Sequence, residues 1–218
     1  MPDVVNAINC IIRARLNPRI PKHPVLGPLT RGTIRRPGYV SYLAQTLRYV
    51  SWTPRLLFVG AQRLSEIEEY RDLAQLCLVK RSEETGHDAW ARSDLEALGV
   101  DSDTVQRIQR SPAVGAYIAW NRCIVASDRP LGIFGAAYVL EVLGDEWAGV
   151  ASSNLRRRSR IPGISMATSF LDGHAGADPD HCAILAQRLR CVEDPEDQEA
   201  IVLSARVTCE LFPDFFPV

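Results

Sequence analysis

The sequence lacks an excess of charge of either sign. It contains 25 lysines and arginines against 26 aspartates and glutamates, which gives a formal net charge of -1 and a pI near 6.4. Such a balance creates no global field that would attract a polyanion or an anionic membrane surface. We therefore expect neither nucleic acid nor a membrane as a partner of this chain.

Long apolar runs and closely spaced cysteine pairs are also absent. The run from Leu131 to Gly144 is interrupted by Glu141, and the run from Val4 to Leu16 is too short to span a bilayer. The six cysteines form no CxxC pair, and we find no secretory signal. These absences predict a cytoplasmic protein with reduced thiols.

Apolar residues recur at helical spacing through most of the chain, and no segment alternates as a strand would. The proline-rich segment from Asn17 to Pro37 predicts an extended surface loop. With 218 residues and 46% hydrophobic residues, we expect a single all-α domain over residues 1–218, a bundle of about seven helices. The predicted helical segments are Val4 to Leu16, Tyr39 to Leu64 with Pro54 as a kink or break, Ser65 to Leu98, Asp101 to Gln109, Ala113 to Ala126, Pro130 to Arg158, Ile164 to Val192 and Pro195 to Phe212.

Histidine is scarce, with four in the chain, yet three of the four lie near carboxylates at helical spacing. His174, Asp178 and His181 occupy positions i, i+4 and i+7, which fall within roughly 60° of one another on a helix. One helix face would then present two imidazoles and a carboxylate, which is a surface suited to binding a metal ion.

Two further segments supply partners for such a face. Glu84 and His87 form an E-x-x-H pair, whose i, i+3 spacing lets both side chains reach one metal, with Glu83 as an alternative ligand. Glu141 lies among apolar residues, where an ionised carboxylate is costly unless it is paired or coordinated.

Each of these residues also has a structural interpretation. Asp178 followed by Pro179 is typical of an N-cap, in which case Asp178 would not be a ligand and Pro179 would interrupt the helix. Glu84 could belong to a solvated acidic turn. Glu141 could face solvent or pair with an arginine such as Arg122.

Three histidines and three carboxylates match the number and hardness of ligands for two iron or manganese ions with open positions for dioxygen. A structural zinc site would favour a closed tetrahedron, often with cysteines, and no cysteine here has the required spacing. Haem would need one axial histidine and would leave the carboxylates unexplained.

At these residues the chain resembles the haem-oxygenase-like diiron oxidases, also called iron-containing redox enzymes, which are related by fold to TenA-type proteins. The similar segments are YLAQTLRYVSWTPRLL (42–57), EETGHDAWARSDLEALG (83–99), LGIFGAAYVLEVLG (131–144) and HAGADPDH (174–181). The resemblance implies a helical bundle that binds two Fe²⁺ ions through Glu84, His87, Glu141, His174, Asp178 and His181.

The chain departs from the family pattern at one end of this site. Many members carry a histidine or glutamate seven residues before the EExGH histidine, where this chain has Lys80, and histidines in the first long helix, where it has Gln45 and Arg48. These departures leave open how fully the first iron position is coordinated. Lys80 itself could meet a substrate carboxylate or extend to solvent.

The function implied by the resemblance is dioxygen-dependent oxidation of a small-molecule substrate by two ferrous ions. N-oxygenation of an amine or amino-acid-like compound is favoured, because Arg48, Lys80 and Arg122 suit a polar substrate; oxidative C–C cleavage or desaturation of an amino or fatty acid is the alternative. Candidate substrate-binding residues are Lys80, Tyr117, Asn121, Arg122 and Tyr138, although aromatic residues at helical spacing are more often core.

Two other classes of protein remain open. One is a metal-free TenA-like enzyme, which would need Cys123 or Cys77 as a nucleophile. The other is a non-catalytic helical binding protein. The choice between a monomer and a homodimer is also open.

Overall fold

The computed structural model describes residues 3–175 and 180–217, and within them it contains helices and no strand. The all-α prediction is therefore confirmed. The α-helices are α1 (Val4–Ile11), α2 (Leu26–Arg31), α3 (Arg36–Val50), α4 (Thr53–Ser65), α5 (Arg71–Glu84), α6 (His87–Ala97), α7 (Ser102–Arg107), α8 (Pro112–Ala126), α9 (Ile133–Leu143), α10 (Gly149–Arg158), α11 (Ser169–Ala175), α12 (Asp180–Arg190) and α13 (Pro195–Leu211).

Three of the long predicted helices are broken, and one of them, Ile164 to Val192, is interrupted at residues 167–168 before α11 begins. The segment from Tyr39 to Leu64 divides before Thr53, and Pro54 lies in the first turn of α4, where its missing N–H costs no hydrogen bond. The segment from Ser65 to Leu98 divides at Gly86, whose φ of 101° is accessible to glycine and unfavourable for other residues. Glu84 therefore ends α5, and His87 begins α6.

The break at Gly86 corrects the physical basis of one prediction. Glu84 and His87 are not neighbours on one helix face, because the chain changes direction between them. The turn itself brings the two side chains together, as described below.

The extended loop predicted between Asn17 and Pro37 is also wrong in part, because α2 lies inside it. Its prolines do not prevent this helix, since Pro28 is near the start of α2, where an N–H is not required. Gly32, with a φ of 71°, ends it.

The two histidines of the predicted metal-binding motif, His174 and His181, lie in different helices. His174 lies in the last turn of α11, and His181 lies near the start of α12. Asp178 and Pro179 fall outside the described residues. Their roles as ligand, cap or kink stay predictions.

Helix α9 forms the centre of the bundle and packs against α13, α12, α4 and α8. The α9 helix is apolar on most sides for this reason, and residues such as Phe134 and Val139 are fully buried. Helix α6 packs against α3 and α11, so the histidine-bearing elements are neighbours. No helix in the described part of the chain combines the length and apolar character needed to cross a membrane.

Candidate metal centre

Two adjoining cavities lie inside the bundle. One is polar, has a volume of about 200 Å³, and is lined by Glu83, Glu84, His87, Glu141, Gly144, Asp145, Gly173, His174, His181 and Cys182. The other has a volume of about 130 Å³ and is walled mainly by aliphatic and aromatic side chains. Glu84, Glu141, Gly144 and His174 line both, so the charged groups form the boundary between them.

The first group of ligand-type side chains, which we call the histidine cluster, consists of Glu84, His87 and His174. His87 Nδ1 lies 3.1 Å from Glu84 Oε2, yet it is buried without a well-directed hydrogen bond. The rings of His87 and His174 approach edge to face, with centroids 4.8 Å apart. The turn at Gly86 thus gathers three donor side chains from α5, α6 and α11.

His174 is held in a defined orientation and tautomer. Its Nδ1 lies 2.8 Å from the Phe170 carbonyl oxygen, which can only accept a hydrogen bond, so Nδ1 carries the proton and Nε2 is left with a free lone pair. Burial lowers the pKa of His174, which favours the neutral imidazole. A neutral histidine anchored through Nδ1 is the arrangement commonly found in metal ligands.

Asp94 positions the helix that carries His174. The Asp94 side chain is fully buried in α6 and accepts hydrogen bonds from the backbone N–H groups of Ser169 and Phe170, at 2.7 and 2.9 Å. It therefore caps the start of α11 from a different helix. Asp94 was not among the predicted site residues, although its position two turns after His87 puts both on the same face of α6.

Helix α11 also approaches α6 closely through Gly173. A Cβ at this position would lie 2.4 Å from Trp90 Cζ3, so no larger residue fits without movement of one helix. Trp90 in turn stacks on His87, with ring centroids 4.4 Å apart. These contacts fix both imidazole rings relative to one another.

The second group, which we call the lysine cluster, consists of Lys80, Glu83 and Glu141. Lys80 Nζ lies 2.7 Å from Glu141 Oε1 and 2.9 Å from Glu83 Oε2, and the Lys80 side chain is only 4% exposed. Burial alone would lower the pKa of Lys80, but the two carboxylates raise it above its ordinary value. Lys80 is therefore a buried ammonium ion, and the expectation that it extends to solvent is wrong.

The three carboxylates of the two clusters, Glu83, Glu84 and Glu141, line the polar cavity. Burial would raise the pKa of Glu84, but His87 and the charge of Lys80 hold it below its ordinary value. Glu83 Oε1 lies 3.5 Å from His181 Nε2. Glu141 pairs with Lys80 and not with Arg122, and it does not face solvent. Glu84 lines the cavities, so it does not belong to a solvated acidic turn.

The predicted substrate-binding residues are only partly brought together. Lys80 and Tyr117 line the apolar cavity. Asn121 is buried and donates to the Tyr117 carbonyl, Arg122 lies over the Trp52 ring, and the Tyr138 hydroxyl meets Asn9, so these three line neither cavity. Helical periodicity identified buried positions here but not the face that meets the cavity.

The structure does not favour the cysteines proposed as nucleophiles. Burial raises the pKa of Cys77 to about 12, and Cys123 is exposed on α8. Neither lines either cavity, whereas Cys182, which was not predicted, lines the polar one. Burial also raises the pKa of Cys182, which disfavours its thiolate.

The donor set nevertheless fits an iron ion. Imidazole and carboxylate groups are the ligands of non-haem iron, and His87 Nδ1 and His174 Nε2 are available to bind. Within residues 3–175 and 180–217, no three histidine, cysteine or acidic side chains already surround one point as a closed site. Binding would therefore require these side chains to turn toward a common ion.

The profile of one protein family, described as iron-containing redox enzymes, matches residues 40–212. This match spans most of the chain, including both clusters. The chain belongs to this family. No curated protein matches the sequence.

This chain shares its fold with several solved structures. It is similar to a domain of unknown function with a heme oxygenase-like fold from Shewanella denitrificans, at 19% identity, with a TM-score of 0.75 and coverage of 98% of this chain and 87% of the other. It is also similar to a TenA homologue from Pseudomonas syringae, at 14% identity, with a TM-score of 0.77 and coverage of 98% and 89%. A TenA homologue from P. horikoshii is 16% identical, with a TM-score of 0.70 and coverage of 98% and 94%.

Proposed function

We propose that this iron-containing redox enzyme uses dioxygen to oxidise a small substrate with a largely apolar body. The observation that carries the proposal is the shared wall of the two cavities. Glu84 and His174 line both, so a molecule in the apolar cavity would lie directly against the histidine cluster.

The histidine cluster would hold the iron through His87 Nδ1, His174 Nε2 and the Glu84 carboxylate. Bound ferrous iron supplies the activation of dioxygen, which amino-acid side chains cannot perform alone. The two ions predicted from the sequence stay a prediction, and Glu141 and His181 would belong to the second.

The walls of the apolar cavity would exclude water and orient the substrate. Tyr42, Tyr49, Leu57 and Tyr117 come from three helices and present mainly carbon to the interior. Such a wall favours an alkyl or aromatic group, and excluding water protects a reactive centre from side reactions.

A polar anchor is available within this apolar wall. Trp147 lines the cavity, and its Nε1–H is buried without a hydrogen-bond partner. Because Nε1 has almost no exposed surface, a substrate oxygen would satisfy this donor once the indole turns its N–H toward the cavity. We therefore expect the substrate to carry a hydrogen-bond acceptor besides its apolar body.

This pocket shifts the balance between the predicted reaction types. The preference for N-oxygenation rested partly on Arg48 and Arg122, but Arg48 donates to carbonyl groups at the end of α7, and Arg122 lies outside both cavities. An apolar cavity is better suited to C–C cleavage or desaturation of an alkyl or aryl substrate. We propose oxidation at carbon as the reaction type.

Oxygen uptake and mass spectrometry of Fe²⁺-loaded protein test the proposal, with panels of alkyl carboxylates, alkyl amines and free amino acids. We expect oxygen-dependent turnover of apolar members with loss of hydrogen or a carbon fragment. Turnover confined to polar amines would overturn the substrate class, and absence of iron binding would overturn the function. Protein loaded with Zn²⁺ is the control, since zinc has no redox chemistry.

Replacing Trp147 by phenylalanine tests the polar anchor. The variant keeps an aromatic ring and loses one hydrogen bond, so we expect KM to rise by about 2- to 10-fold. Trp120→Phe is the matched control, because Trp120 Nε1 donates to Ser204 and the residue does not line the apolar cavity. Equal KM values for Trp147→Phe and Trp120→Phe would show that Trp147 does not bind the substrate.

A further inference from the structure

The lysine cluster contains two carboxylates of the kind that bind metal ions, and a cation, the Lys80 ammonium, already lies between them. We infer that the Lys80 ammonium takes the place of a second metal ion, so that this protein holds one iron firmly, in the histidine cluster. The inference rests on the proposed function only in taking iron as the metal of that cluster.

The contacts of Lys80 support this role directly. Its Nζ lies within 3 Å of one oxygen of Glu141 and one of Glu83, from two different helices. A side chain that is 4% exposed loses the hydration of its charge, so the two carboxylates must provide the compensation. The ammonium thus neutralises the carboxylates that a second ion would require.

The histidine cluster shares no residue with the lysine cluster. It offers two imidazoles and one carboxylate, the ligand set that leaves open positions on mononuclear ferrous iron. His87 Nδ1 and Glu84 Oε2 are 3.1 Å apart. Two ligands bound side by side to one ion at about 2.1 Å lie about 3 Å apart. The Glu84 and His87 donors therefore already have the separation that one ion needs.

A second ion would have to displace Lys80. His181 Nε2 lies 3.5 Å from Glu83 Oε1 and could contribute to that position, but the other oxygen of the same carboxylate, Oε2, lies 2.9 Å from the Lys80 ammonium. Like charges in a partly buried site repel, and at the effective dielectric of such sites this disfavours a second cation by at least roughly tenfold.

Metal stoichiometry in solution tests this inference without a substrate. Purified full-length protein is titrated with Mn²⁺ in air and with Fe²⁺ under anaerobic conditions, by calorimetry and by metal analysis after gel filtration. We expect the wild-type protein to bind one ion firmly. We expect Lys80→Met, which keeps the chain length and removes the charge, to bind a second with a Kd at least ~10-fold lower than any second ion in the wild type.

Two variants control for the substitution. Lys80→Arg retains the cation and should keep a stoichiometry of one, whereas Lys22→Met makes the same chemical change at an exposed position and should behave as the wild type. The EPR spectrum of bound Mn²⁺ adds a second readout, because two adjacent ions couple magnetically and a single ion does not.

Several outcomes would overturn the inference. If the wild type binds two ions with Kd values within tenfold of each other, Lys80 does not occupy the second position, whether or not the variants fold. If folded Lys80→Met still binds one ion, Lys80 is not what limits the stoichiometry. Absence of metal from every protein would instead overturn the proposed function.

Discussion

The two clusters of the candidate site are built from different forces. In the histidine cluster, His174 is anchored by a neutral hydrogen bond to a backbone carbonyl, and the helix behind it is capped by Asp94. In the lysine cluster, an ammonium and two carboxylates hold one another. The first arrangement leaves His87 Nδ1 without a hydrogen bond, whereas the second engages one oxygen of each carboxylate with the ammonium. Three ligand-type carboxylates therefore need not bind two metals, since two of them already contact a cation.

Removing the ammonium should have the largest effect on stability. Lys80→Met leaves Glu83 and Glu141 without their counter-ion, and we expect metal-free protein to lose about 3 kcal/mol of unfolding free energy, near the lower end for buried pairs because both carboxylates reach a cavity. Urea denaturation measures this, with Lys22→Met as the control. If Lys80→Met loses no more unfolding free energy than Lys22→Met, the lysine cluster is not held together by charge.

Removing one imidazole should have the next largest effect. His174→Ala deletes a ligand of the histidine cluster, so we expect the Kd for the first ion to rise by more than ~100-fold, beyond the effect of groups that merely orient ligands. Circular dichroism should remain helical. His181→Ala is the matched comparison, because His181 adjoins the lysine cluster and its loss should leave the first ion bound. Equal losses in both variants would argue for one shared site.

These residues also indicate how far sequence patterns reach. Apolar residues at helical spacing were sufficient to predict an all-α fold, and the residue types at Glu84, His87, His174 and Glu141 predicted metal-type ligands that the structure places around two adjoining cavities. The i, i+3 explanation for Glu84 and His87 was nevertheless wrong, since Gly86 separates them into two helices. Their proximity comes from a turn, which helical periodicity does not describe.

The roles of Lys80 and Asp94 depend on contacts between distant segments. Lys80 meets Glu141 from another helix, and Asp94 caps a helix that starts 75 residues later. Neither contact follows from local spacing, because one joins α5 to α9 and the other joins α6 to α11, and these helices are far apart in the sequence. The residues that flank Lys80 in the sequence do not indicate whether its side chain is buried or exposed.

Loss of the cap on α11 should weaken the histidine cluster indirectly. Asp94→Ala leaves two backbone N–H groups unsatisfied, and we expect a loss of about 1–3 kcal/mol in stability. Metal affinity should fall as well, because α11 carries His174. Asp94→Asn retains one acceptor oxygen, so it should lose less stability and less metal affinity than Asp94→Ala. Thermal unfolding and Mn²⁺ titration measure the two effects; unchanged affinity in a destabilised Asp94→Ala protein would separate the cap from the site.

The smallest expected effect is the response of the metal-free histidine cluster to pH. Because burial lowers the pKa of His174 below its ordinary 6.5, the unfolded state binds a proton before the folded state does. The stabilisation that the neutral His174 contributes is therefore complete above pH 6.5, and it is lost as the pH falls toward the lower pKa of His174 in the folded protein. The free energy of unfolding changes over this range by at most about 1.4 kcal/mol per pH unit. Lys80 should not contribute in this range, since its raised pKa keeps it charged. Urea denaturation between pH 5 and 8 should consequently show a flatter profile for His174→Gln than for the wild type, and an identical profile would mean that His174 titrates as it does in the unfolded chain.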